Sequence, residues 1–111
     1  PSINSSWVDL DLLPGWQNVV GSPTPQALNS AGITYLGGAV ASETTDILTP
    51  IFRLPLVFRP KRTKFLGSYG PQGVTMMTVD PQGFVTPTSY ADPAQGALSG
   101  LHLDSLIFPN T

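Results

Sequence analysis

Leu98-Ser99-Gly100-Leu101-His102-Leu103-Asp104-Ser105-Leu106-Ile107-Phe108 is the stretch whose pattern decides the fold. Leu101 and Leu103 alternate with His102 and Asp104, a period of two. Successive strand side chains point to opposite faces, so this pattern buries the leucines on one side. The other side presents the chain's single histidine beside a carboxylate. Only Pro109-Asn110-Thr111 follows, and so apolar an ending would fray or aggregate unless it were paired into a sheet. A closing structural strand is therefore expected here, with any chemistry on its outward face or on loops.

The same alternation extends back through the chain. Trp7-Val8-Asp9-Leu10-Asp11-Leu12 places Val8, Leu10 and Leu12 inward, and a strand over 16–20 follows the Pro14-Gly15 turn. Within 33–41 the paired Gly37 and Gly38 point to a bulge or a close backbone approach. Segments 46–54 (leading into 56–58), 63–69, 73–79, 83–87 and 97–108 complete about eight strands. Asp80-Pro81-Gln82-Gly83 is a hairpin signal, because Pro presets φ and Gly accepts the left-handed conformation. A short helical turn is admitted only at Pro25-Gln26-Ala27-Leu28, since Pro suits a first helical position. The expected fold is all-β, an antiparallel β-sandwich of jelly-roll type.

A chain of 111 residues is a single domain by size, 1–111, able to bury roughly two-thirds of its unfolded surface. Charged residues make up 11%, against about 25% in average soluble domains, and uncharged polar residues take their place. Such a surface suits sugars or copies of the same chain better than a phosphate backbone. With no Cys, disulfides and thiolate metal sites are excluded, and oligomerisation is a common alternative source of stability. No apolar run approaches the ~18 residues of a membrane helix, and no signal peptide is legible. A start at Pro1, without Met, suggests a segment of something longer.

The order of the pieces carries a resemblance. Gly32-Ile33-Thr34-Tyr35-Leu36-Gly37-Gly38-Ala39-Val40 precedes Ile51-Phe52-Arg53-Leu54-Pro55-Leu56-Val57-Phe58-Arg59-Pro60. Val79-Asp80-Pro81-Gln82-Gly83-Phe84-Val85 and then Leu101 to Phe108 follow. From Trp16 onward this succession resembles the C-terminal tip domain of tailed-phage tail fibres and minor tail proteins. Ser105 stands where that pattern usually has Gly, and loop 92–96 lacks the Trp often found before the closing strand. The resemblance implies a β-sandwich head, assembled as a homotrimer, that attaches a virion to its host. Residues 1–6 would then be a linker from an upstream shaft.

Candidate site residues follow from chemistry. All five cations (Arg53, Arg59, Lys61, Arg62, Lys64) lie between positions 53 and 64. They form either a loop for an anionic partner or a crossover whose arginines bond carbonyls; Arg59 is assigned to the crossover. Lys61 and Arg62 stay open between a solvated turn and receptor contact. Nucleic acid is not expected, because net charge is −2 and no aromatics interleave the basic residues. His102 and Asp104, two apart on one face, could share a sugar hydroxyl; the alternative is a half-exposed strand face or one buried at a subunit interface. A catalytic constellation needs a nucleophile and an orienting group that the sequence does not locate, so no enzyme is expected.

Asp9 and Asp11 form another same-face pair, assigned to the solvated face of an edge strand. Trp7 points away from the Val8–Leu12 core, as an exposed platform or a packing surface, and Trp16 is expected to cover one end of the sandwich. Tyr69 and Tyr90 flank Gly70-Pro71-Gln72-Gly73 and Ala91-Asp92-Pro93, loops suited to receptor contact because Tyr gives area at low entropic cost. Tyr69, Tyr90, Asp92, Lys61, Arg62, His102, Asp104 and Trp7 are thus the expected ligand contacts, with neither metal nor cofactor. The expected function is attachment of a virion tail fibre to host cell-surface polysaccharide, without membrane insertion. Upstream tail-fibre or baseplate components would be the other partners. The alternative is a structural virion protein, a capsid decoration or fibre-end trimerisation domain with no ligand.

Overall fold

A computed structural model describes residues 7–71, 73–98 and 100–111; the expected linker at 1–6 lies outside them. Among the described residues eleven short strands form two antiparallel sheets, so the expected β-sandwich is the observed one, with more and shorter strands than foreseen. The smaller sheet runs β1 (Val8–Asp9), β3 (Gln26–Ser30), β4 (Ile33–Gly37), β11 (Ile107–Pro109). The larger runs β2 (Trp16–Asn18), β5 (Ala39–Ser42), β10 (Leu101–His102), β7 (Lys64–Gly70), β8 (Gly73–Val79), β9 (Phe84–Ser89), β6 (Phe52–Arg53).

Alternation builds the core. β8 turns Thr75, Met77 and Val79 inward and Val74 and Met76 outward, while β9 buries Val85. The closing stretch alone contributes Leu101, Leu103, Leu106 and Phe108, all within 1% of complete burial. Each such side chain stabilises by about 1.5–3 kcal/mol, which explains why the C-terminus is held. Trp16 is buried as expected, and its Nε1–H donates to the Thr49 carbonyl at 3.3 Å.

Two expected long strands each divide in two. The chain over 33–41 leaves the smaller sheet at Gly37 and enters the larger at Ala39, bending at Gly38 with φ +98°. The chain over 97–108 makes the reverse crossing between His102 and Ile107. The two crossings are tied together, because Leu103 N–H donates to the Gly38 carbonyl at 2.8 Å. Strands that switch sheets make corners of this kind. The glycine is obligatory: a Cβ on Gly38 would stand 2.7 Å from the Thr24 carbonyl oxygen.

Three local expectations are corrected. Gln26–Ser30 is strand where a helical turn was admitted, because the two-residue Ala31-Gly32 turn pairs it along its whole length with β4 and buries Ala27. Tertiary pairing here outweighs the Pro signal. Of 46–54 only β6 is strand, and Leu56–Phe58 is a 3-10 turn, since the prolines at 55 and 60 withhold ladder donors. Segment 12–18 then covers both margins of the larger sheet. Leu13 N–H donates to Ile51 O at 2.8 Å on the β6 side, and Trp16–Asn18 pairs with β5. This bridge between the two terminal strands shortens the unpaired edge that would otherwise template aggregation.

Candidate functional site

The corner where the chain changes sheets brings together two of the expected residues, Trp7 and Asp104. A Cβ at Gly37 would lie 3.4 Å from both Asp104 Oδ1 and Trp7 Cζ3, so a carboxylate and an indole meet above a residue with no side chain. Trp7 is 47% exposed. Asp104 is exposed in the turn beyond β10, and its Oδ1 accepts the Gly38 N–H at 3.1 Å. The backbone donor fixes that carboxylate against the corner. His102 is also exposed, and pairs with Ala39 on one side and Tyr69 on the other. Tyr69 is 61% exposed, so imidazole and phenol stand side by side on the outward face of the larger sheet.

Expectation and structure differ in one respect here. His102 and Asp104 both face outward, but they do not share a strand, because β10 ends at His102 and Asp104 belongs to the corner. Chemically the corner supplies an indole and a carboxylate, and the outer face of the larger sheet supplies a phenol and an imidazole. An aromatic face packs on the apolar side of a pyranose, while the polar groups exchange hydrogen bonds with its hydroxyls. Among the described residues no group of three or more His, Asp or Glu could hold a metal ion.

The other expected contacts do not join this cluster. Tyr90 is the clear correction: it is only 6% exposed, packed in the core, with its hydroxyl 3.3 Å from the Asp46 carbonyl oxygen. Burial, followed by the nearby Asp46 charge, raises its pKa above the ordinary tyrosine value. A register shift pairs Met77 with Pro87 and Met76 with Ser89, leaving Thr88 extra; this bulge turns Ser89 outward and Tyr90, just past β9, inward. Asp92 is exposed, but its Oδ1 accepts Ala94 N–H at 3.1 Å and its carbonyl accepts Gly96 N–H at 2.8 Å, so it shapes its own loop. That loop adjoins the β7–β8 turn, where a Cβ on Gly73 would meet Ala91 Cβ at 2.8 Å.

Lys61 and Arg62 are exposed in the bend before β7, at the end opposite Tyr69. Seven strand residues separate the two ends by roughly 20 Å. The basic cluster is also dismantled. Arg59 Nε–H donates to the Leu54 carbonyl at 2.7 Å, as its assignment to the crossover required. Arg53 lies 5.0 Å from the Phe84 ring centroid and donates to the Gln82 carbonyl at 2.9 Å.

Sequence inspection missed an outward row on the smaller sheet. Leu28, Tyr35 and Ile107 are cross-strand partners, on the face that also carries Trp7. The available signal was Ala31-Gly32, whose recognition as a hairpin turn would have put β3 and β4 in register.

No sequence-family model matches the chain, and no curated protein matches it significantly. Among solved structures, the receptor binding protein (gp15) of Listeria phage PSA superimposes with a TM-score of 0.72 at 12% sequence identity. The match covers 96% of this chain and 67% of that one. At such low identity the likeness is one of fold alone.

Proposed function

We propose that this domain attaches a phage tail to its host by binding cell-surface saccharide at the corner formed by Trp7, Gly37 and Asp104, with His102 and Tyr69 beside it. The observation that carries the reading is the convergence of an exposed indole and an anchored carboxylate over Gly37. The shared fold supports it. Binding proceeds without turnover, and neither metal nor cofactor takes part. The domain acts as a homotrimer on a tail fibre, joined to upstream fibre or baseplate components. Linked sites multiply weak single-site attachment by ~10²–10⁴ where geometry permits.

A structural reading, closure of a fibre end without any ligand, has its own supporting observation. Phe65 is 75% exposed on the same outer sheet face as Val74, Met76 and Tyr69, a surface suited to another subunit. The two readings separate in one experiment: light scattering of the purified protein, then binding to an array of bacterial surface glycans. Glycan binding that is lost in Trp7→Ala with the assembly unchanged supports attachment. A stable assembly that binds no glycan supports closure.

A further inference from the structure

A second concavity adjoins the corner on the far side of Thr24, where the chain passes from the smaller sheet to the margin of the larger. Its volume is about 500 Å³, within the range of small-ligand sites. Asp9, Asp11, Gln17, Asn18 and Thr24 line it together with the apolar Leu10, Leu12 and Trp16. The sequence makes this lining in a simple way. Leu10 is buried and its N–H donates to the Pro25 carbonyl at 2.9 Å, so its neighbours Asp9 and Asp11 are turned outward. Gln17 and Asn18 are exposed on the short β2, whose Trp16 is buried. Asp9 Oδ1 accepts the Gln26 amide at 2.7 Å, which fixes one carboxylate.

The donor set defines a ligand class. Two carboxylates accept hydroxyls or an ammonium, two carboxamides both donate and accept, and Thr24 adds a hydroxyl. Every Lys and Arg of the chain lies between 53 and 64, so no cation contributes to this lining. An anionic ligand would meet two like charges here and no compensation. We infer that this cleft is a second saccharide subsite, for a hydroxyl-rich unit that carries no negative charge and binds more tightly when it bears a free amine. The inference rests on the attachment reading and adds a place and a charge preference to it.

The test is nuclear magnetic resonance titration of the ¹⁵N-labelled protein with three probes, methyl glucoside, methyl glucosaminide and methyl glucuronide. It is run at about pH 6, where the amine is protonated and the uronate ionised. Shifts at Asp11, Gln17 and Asn18 are expected, with the glucosaminide binding about fivefold more tightly than the glucoside and the glucuronide weakest, as one solvent-exposed charge contact allows. Asp11→Asn should abolish the amine preference while Trp7→Ala leaves it in place. Asn18→Ala, at an exposed position, is the companion variant and should weaken all three probes. Shifts confined to Trp7, Tyr69 and His102 overturn the cleft assignment and leave the corner reading standing. Shifts at neither place, with no binding to bacterial glycans, overturn both. A glucuronide that binds the cleft as well as the glucosaminide overturns the charge preference.

Discussion

Thr75 faces Ser68 across the β7–β8 ladder, fully buried, and its hydroxyl has no hydrogen-bond partner among the described residues. Ser68 spends its own hydroxyl on the His102 carbonyl. A buried polar group without a partner costs about 1–3 kcal/mol. Thr75→Val keeps the shape and removes the hydroxyl, so stability should rise by about 1 kcal/mol in chemical denaturation. Gly38→Ala should do the opposite. Its methyl group would press on the Thr24 and Pro23 carbonyl oxygens at a φ of +98°, and the loss should be about 3 kcal/mol or more. Tyr90 gives a pH dependence. Its folded-state pKa is raised, so its contribution is complete below about pH 10, where both states are neutral. Above that, the unfolded chain ionises first and stability falls through the folded pKa. Tyr90→Phe should flatten the alkaline limb of a stability–pH curve.

At the scale of elements, turns and corners matter more than strand length. The β8–β9 hairpin is closed by Asp80, whose Oδ1 accepts Gln82 N–H at 2.9 Å and Phe84 N–H at 3.0 Å. Gly83 takes φ +93° with Arg59 against it, so the hairpin and the crossover lock each other. Asp80→Ala should cost about 1–2 kcal/mol, read as a lower thermal midpoint, because two backbone donors lose their acceptor. This turn was legible because Asp-Pro-Gln-Gly encodes it locally. The alternation of Leu101 and Leu103 likewise declared its buried face, and the double glycine declared a close approach. The sheet change at Gly38 was not legible, since period-two patterning continues through it and only the facing Leu103 shows where the strand ends. β3 was hidden for the same reason. Its Gln-Ala-Leu-Asn-Ser run has weak strand preference and becomes a strand by pairing with β4. The exposure of Trp7, Tyr69, His102 and Asp104 was legible, whereas the burial of Tyr90 was not, because it depends on a β-bulge at Thr88 that loop composition does not reveal.

As a whole, the molecule measures 48 by 30 by 22 Å, and its candidate contacts are distributed along that length. The Asp92 rim adjoins the Tyr69 end of β7, while the Lys61–Arg62 bend lies at its other end, so one receptor chain engaging both ends would have to span roughly 20 Å. The account gives the corner the central role. It asks little of any single site, since repeated weak contacts suffice when several copies are held together. Binding of the purified, folded protein to an array of bacterial surface glycans, beside its Trp7→Ala and Asp104→Asn variants, tests this most directly. The account predicts glycan binding by the parent and at least tenfold weaker binding by each variant, with unchanged folding and assembly. Equal binding by all three proteins, or none by a correctly folded parent, would contradict it.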